Sequence, residues 1–299
     1  MKKKFMSIAL ASVMALSLAG CGGSAGGTTT AADTTAAAPA DTTAEASSED
    51  TTAADNTSAE AAEVTESAGG TLIVGFDQDF PPMGFIGDDG EFTGFDLELA
   101  QEVAKRLGLE YKPQPIAWDA KDMELEAGNI DCIWNGFTMT GREDDYAWTD
   151  AYMANTQVFV VAKDSGIASQ ADLAGKVVEC QVDSSAEAAL KEVPDLTATF
   201  KELLTTADYN TAFMDLEQGA VDAIAMDVIV AGYQIQQRNA DFVILEDTLS
   251  AEEYGVGFKK GNTELRDKVQ ATLEEMAADG TLKSISEKWF GEDVTTIGK

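Results

Sequence analysis

The stretch Met123-Glu-Leu-Glu-Ala-Gly-Asn-Ile-Asp-Cys-Ile133 returns 91 residues later as Met214-Asp-Leu-Glu-Gln-Gly-Ala-Val-Asp-Ala-Ile224. Six of the eleven positions are identical, and two more keep their chemistry, Asp for Glu and Val for Ile. Each copy reads as a helix closed by a glycine at its C-cap, Gly128 or Gly219, because glycine enters the left-handed conformation without a Cβ clash. A short apolar strand then follows. Helix, cap and strand recur as a unit, which predicts two lobes of related architecture, although two unrelated units could share so common a grammar.

Outward from this pair, apolar runs at residues 71–76, 158–162, 176–180, 242–245 and 256–258 join those at 130–135 and 221–226 as expected strands. Helical periodicity is clearest in Leu97, Ala100, Val103, Ala104 and Leu107, and in Leu265, Val269, Leu273 and Met276, the second stopped by Gly280. Strands alternating with helices imply an α/β fold. In open α/β sheets ligands bind beyond the carboxyl ends of strands, so the residues after the repeated strands carry most information. Trp134, Asn135, Gly136, Phe137 and Thr138 follow the first, with Arg142 close behind; Asp227 follows the second. A cation on one lobe facing an anion on the other matches a free α-amino acid, whose carboxylate takes a guanidinium fork and whose ammonium takes a carboxylate.

The ends of the chain set the context. Lys2, Lys3 and Lys4 precede an uncharged apolar stretch at 5–18, the pattern of a secretion signal over residues 1–20. The stretch is too short for a mature membrane span. Residues 22–69 hold nine acids, no base and only Val64 as a sizeable apolar side chain, so they cannot bury a core. They read as a spacer with a reach of about 40 Å. The whole chain of 299 residues carries 53 acids against 20 bases, a net charge of −33, and no histidine. That balance excludes a role on nucleic acid, which needs a basic face. Lack of histidine removes imidazole catalysis and histidine metal ligands. No cofactor and no metal is expected.

Two motifs carry a resemblance. Leu18-Ala-Gly-Cys21 resembles the lipobox of bacterial lipoproteins, which implies a diacylated Cys21 as the membrane tether. Gly94-Phe-Asp-Leu-Glu-Leu-Ala-Gln-Glu-Val-Ala-Lys-Arg-Leu107 resembles the signature of the bacterial solute-binding proteins, family 3, which deliver polar amino acids to ABC importers. The likeness extends through 77–82, the Asp131 strand, the Thr-x-Arg turn, the Ser-Ser turn near 184, Asp227 and the terminal Lys288-Trp-Phe290. It implies a type II periplasmic-binding-protein-like fold: two lobes, a hinge between them and a ligand site in the cleft. On this basis lobe 1 takes 70–156 and 256–299, lobe 2 takes 157–255, and the crossings fall near 157–161 and 253–257.

The resemblance also assigns roles. Arg142 would take the ligand carboxylate, helped by amides where Ser184 and Ser185 open a helix; Asp227, the Thr138 hydroxyl and the Gly136 carbonyl would accept from the ammonium, beside Asn135. Phe80 and Trp118 would wall the ligand side chain, and Asp77 would favour a cationic one. Two departures from the family pattern stand out: a single residue, Gly141, between Thr140 and Arg142, and Gln181-Val-Asp183 where Gln-x-Gly is usual. Asp183 is expected to point outward as a helix cap. Structural roles compete with each assignment: Arg142 could pair with the Glu143-Asp144-Asp145 run, Asp227 could cap the helix expected at 228–237, and the aromatics could be plain packing. Trp134 is read as core or cleft floor. Cys132 and Cys180 are expected as buried thiols, since a bridge would tether lobes that must swing apart.

The implied function is a monomeric, lipid-anchored receptor on the extracytoplasmic face of the cell membrane, whose partners are a free amino acid and the transmembrane subunits of an ABC permease. Lys, Arg or ornithine suit its acid bias, with Gln or cystine as alternatives. A cyclohexadienyl-dehydratase-like enzyme on the same scaffold, with Glu179 or Asp183 as its acid, is the alternative from another class. A sensory receptor is a third.

Overall fold

The computed structural model describes residues 70–299; the signal, Cys21 and the spacer lie outside the described residues. Strand β1 (Thr71–Phe76) leads to a small antiparallel meander, β2 (Asp79–Phe80), β3 (Gly84–Ile86) and β4 (Phe92–Thr93), then to α1 (Phe95–Leu107) and β5 (Glu110–Pro115). Helix α2 (Lys121–Glu126) precedes β6 (Cys132–Ile133) and β7 (Ala147–Trp148). The long β8 (Met153–Ala162) carries the chain into a second sheet with β9 (Val177–Gln181), α3 (Ser185–Glu192), α4 (Pro194–Thr197), β10 (Glu202–Thr206), α5 (Tyr209–Gln218), β11 (Ala223–Asp227) and α6 (Val228–Arg238). The equally long β12 (Phe242–Tyr254) returns it to β13 (Gly257–Phe258), α7 (Thr263–Asp279) and α8 (Thr281–Phe290). The two five-stranded sheets run β5-β1-β6-β13-β7 and β10-β9-β11-β8-β12.

The repeated unit does the same work in both sheets. Asp131 lies at the head of β6, where its backbone N–H donates to the Ile73 carbonyl at 2.8 Å and its side chain accepts from the Ile73 N–H at 2.7 Å. Asp222 does this at the head of β11, giving its N–H to the Val177 carbonyl at 2.8 Å and accepting from the Val177 N–H at 2.8 Å. A carboxylate closing a ladder end satisfies a donor that the strand pairing leaves over. Gly219 caps α5 at φ 71°, as expected; in the first copy the cap falls on Ala127, and Gly128 follows at φ 73°.

Both helical stripes are core. Leu97, Ala100, Val103 and Ala104 of α1 are buried, as are Val269, Leu273 and Met276 of α7, each large side chain contributing about 1.5–3 kcal/mol of burial. Cys132 and Cys180 are free and buried.

The expected strands are all present, but β8 and β12 extend well beyond the apolar runs at 158–162 and 242–245. They pair side by side, with Met153 opposite Tyr254 and Phe242 opposite Ala162, and an irregularity between Ile244 and Ser250. The apolar run stops where Asn155, Gln157 and Glu252 begin, and these polar residues are themselves buried. Strands β5 and β10 have no apolar run because they edge their sheets and are half-exposed.

Candidate functional site

Strand β1 delivers Asp77 and, through β2, Phe80; β6 delivers Asn135, Gly136 and Thr138; β11 ends on Asp227; and α3 opens at Ser184 and Ser185. With Trp118 and Arg142, all ten of these residues line one cavity, and Gln181 at the end of β9 joins them. The sequence-based set lacks Gln181. Its signal was available, since the residue closing a repeated-sheet strand is where a ligand contact is expected.

Lobe 1 is braced from below by Asp96 in the first turn of α1. It is buried and accepts from the Gly136 N–H at 2.5 Å and the Tyr152 hydroxyl at 2.8 Å. Burial pushes its carboxyl up to about 7 against those two hydrogen bonds. Gly136 sits at φ +57°, and a Cβ there would meet the Phe80 and Tyr254 rings at 3.1 and 3.2 Å, so the turn after β6 needs glycine. Asn135 Oδ1 accepts from the Asp77 N–H at 3.1 Å, tying the two strand ends together.

The single-residue spacer before Arg142 does not move it out of the cleft. Gly141 adopts φ +80°, the Arg142 N–H closes a tight turn on Met139 at 2.9 Å, and the guanidinium lies 5.4 Å over the Phe137 ring. Its Nη1 donates to the Thr138 carbonyl at 3.3 Å and its Nη2 to the Asp183 carbonyl at 3.4 Å. Among the described residues Arg142 makes no ion pair with Glu143, Asp144 or Asp145.

Asp183 departs from expectation. It is not the helix cap: Ser184 is, accepting from the Glu187 N–H at 3.1 Å. Asp183 holds φ +56°, the conformation for which glycine is usual, and its side chain pairs with buried Lys121 of lobe 1. The Asp183 carbonyl also accepts from Lys121 Nζ, at 3.3 Å. The residue that interrupts the Gln-x-Gly pattern therefore ties the two lobes together.

Asp227 occupies the N-cap position of α6 but makes no side-chain cap bond. Instead Oδ1 accepts from Asn155 Nδ2 at 2.7 Å, Gln157 Nε2 at 2.8 Å and the Tyr254 hydroxyl at 2.5 Å. Burial raises its carboxyl to about 7, the neighbouring Glu252 adds to the rise, and the Tyr254 and Gln157 bonds oppose it.

Asp77, also on the cavity wall, is buried and accepts from Gln181 Nε2 at 2.6 Å. Burial lifts it to about 6; the Asp79 N–H and Gln181 bonds lower it, and the charges of Asp79 and Asp208 raise it. Glu179, one of the two acids proposed for a dehydratase, is raised to about 7 by burial and by Asp215 and Asp208, but does not line the cavity. Trp118 and Phe80 are both cavity wall and packing, Trp118 edge-on to Phe137 at 5.6 Å and Phe80 against Tyr209 of lobe 2 at 6.0 Å. Trp134 is fully buried core, off the cavity.

A cavity lined by an arginine and by two buried aspartates, Asp227 and Asp77, can hold a zwitterion with a polar tail. The chain is 35% identical over 229 residues to the L-cystine-binding protein TcyJ of Escherichia coli, covering 76% of this chain and 85% of that protein. The crystal structure of an ABC uptake transporter substrate-binding protein from Streptococcus pneumoniae with bound histidine superposes with a TM-score of 0.74 at 36% identity, covering 77% of this chain and 96% of that one. An ancestral amino acid-binding protein that is a precursor of cyclohexadienyl dehydratase superposes with a TM-score of 0.67 at 32% identity, covering 74% and 96%. The family model of the bacterial extracellular solute-binding proteins, family 3, matches residues 72–292, and the chain belongs to that family.

Proposed function

We propose that this protein is the extracytoplasmic substrate-binding lipoprotein of an ABC importer, closing its two lobes on a polar amino acid and presenting it to a membrane permease. The observation that carries the reading is the pairing, in one cavity, of Arg142 from lobe 1 with Asp227 from lobe 2. Arg142 takes the ligand carboxylate with the first amides of α3; Asp227, with Thr138 and the Gly136 carbonyl, takes the ammonium. Only the closed form offers both, so ligand binding favours closure. We place the crossings between lobes on the paired strands β8 and β12.

Asp77 with Gln181 supports a ligand whose far end is cationic or doubly polar: arginine, lysine, ornithine or cystine, the last carrying a second ammonium. Cystine draws further support from TcyJ, and histidine from the Streptococcus protein. Tethering through a lipid on Cys21 rests on the lipobox, and the acidic spacer gives the body its reach from the membrane. The likeness to a dehydratase precursor favours a second reading, an enzyme acting on a small carboxylate such as prephenate.

A thermal-shift screen of residues 70–299 against the twenty amino acids, ornithine, cystine and prephenate tests these readings. A ligand at 100 times its Kd stabilises the fold by about 2.7 kcal/mol. A rise for a few polar amino acids supports the receptor. A rise for prephenate alone, with turnover, replaces it with the enzyme, and no rise for any compound overturns the site assignment.

A further inference from the structure

Glu252 on β12 lies outside the residues lining the cavity, yet it is buried directly behind them. Its Oε1 accepts from Gln157 Nε2 at 2.6 Å, Asn155 Nδ2 at 2.7 Å, the Thr138 hydroxyl at 3.0 Å and the Ser185 hydroxyl at 3.4 Å. The same two amide nitrogens serve Asp227 Oδ1. Two carboxylates are thus held one amide apart, and every one of these donors is neutral. Like charges this close in a dry site resist joint ionisation, and the cheapest relief is a proton.

The surroundings leave the pair few alternatives. From α5 the Tyr209 hydroxyl donates to the Ala225 carbonyl at 3.2 Å, and from β12 Tyr254 donates to Asp227; both phenols are pushed well above their usual range by burial. Helix α3 presents its N-terminus through Ser184 and Ser185. Among the described residues lining the cavity Arg142 is the one cation, and it is engaged with the Thr138 and Asp183 carbonyls.

We infer that Glu252 is a positioning residue of the ammonium subsite: set one amide away from Asp227, it holds a proton on Asp227 in the ligand-free protein, which leaves when an ammonium docks, and by accepting from Thr138 it turns that hydroxyl's lone pair toward the ligand. One positive charge enters and one proton leaves to the buffer, while the ammonium N–H bonds replace the lost O–H. This rests on the amino-acid reading above for its ligand; the proton on Asp227 does not. The direction agrees with the raised Asp227, whose affinity for an ammonium falls as pH drops through about 7.

Carboxyl ¹³C NMR titration of the ligand-free protein tests the pair without any ligand, with Asp227→Asn for assignment. The Asp227 step is expected near neutrality, and in Glu252→Gln it moves down by roughly a pH unit or more. An Asp227 step below pH 5 overturns the proposal, even if Glu252→Gln does not fold. Calorimetry with L-arginine and L-cystine at pH 6.5, in buffers of different ionisation enthalpy and on an Asp77→Asn background, supplies the second reading. Release of roughly half a proton or more is expected, lost in Glu252→Gln and kept in Glu252→Asp. Binding with a buffer-independent enthalpy also overturns the proposal, whereas failure of both amino acids to bind falls on the receptor reading and leaves the NMR result to decide the pair.

Discussion

Strand β6 of lobe 1 and strand β11 of lobe 2 start alike and end differently. Both open on an aspartate that closes the neighbouring ladder, Asp131 on Ile73 and Asp222 on Val177. From there β6 runs only through Cys132–Ile133 before Gly136 bends the chain, with its amide on Asp96; β11 runs straight through Ala223–Asp227 and delivers a carboxylate. The shared half of the unit builds a sheet, and the divergent half gives each lobe its own charge in the cleft. Toward an α-carboxylate and α-ammonium, lobe 1 offers the Arg142 guanidinium with the Thr138 and Gly136 acceptors and lobe 2 offers Asp227 and the opening of α3, while Asp77 adds an acid from lobe 1 elsewhere in the cavity.

The largest expected effect breaks that asymmetry. Arg142→Ala on lobe 1 and Asp227→Ala on lobe 2 should each cost about 2–5 kcal/mol of amino-acid affinity, measured by calorimetry, because each strands an opposite ligand charge in a dry site. An unchanged affinity in either variant would remove that lobe from the site.

The shared half is probed by stability. Asp131→Asn and Asp222→Asn should each lower unfolding free energy by about 1–3 kcal/mol in urea melts, since each weakens a charge-assisted bond to a strand N–H. Similar losses in the two variants sharpen the comparison, and a loss confined to one lobe would show that the repeated sequence does unequal work.

Asp77 tests another part of the cavity wall. A side-chain cation pairs with ionised Asp77, so arginine affinity should fall as pH drops through about 6, and Asp77→Asn should flatten that limb while sparing neutral ligands. The same chemistry acts on folding. Asp77, Asp96 and Asp227 have carboxyls raised above their unfolded values, so the folded chain holds more protons between about pH 4 and 7. The ligand-free protein should therefore grow more stable as pH falls from 8 toward 5, read as a rising Tm.

The smallest effect concerns the tie between lobes. The Asp183 side chain is half-exposed, so Asp183→Asn should weaken ligand affinity by only about 0.5–1 kcal/mol, expressed as faster dissociation in stopped-flow traces. A loss well beyond tenfold, about 1.4 kcal/mol, would make Asp183 part of the binding site itself.

Much of the molecule was legible in the chain. Apolar runs gave every central strand, because buried strands must be apolar on both faces, and the stripes of α1 and α7 followed from helical spacing against a core. Local patterns could not show β5 and β10, whose half-exposed edges carry no apolar run, nor the full length of β8 and β12, whose inner halves bury polar side chains against one another. The family signature led to ten residues that converge on one cavity, while Asp96 and Glu252 escaped notice because their roles depend on partners 40 and 114 positions away.

What the sequence determined by itself is the repeated α/β unit and the identities of the opposed charges, both of which depend on neighbours along the chain. Only the tertiary structure decided that Asp183 reaches Lys121 instead of capping its helix, that Asp227 takes amide donors from β8, and that Glu252 stands behind it. Those are contacts between lobes and between strands, and their energies arise from burial, which a linear pattern does not contain.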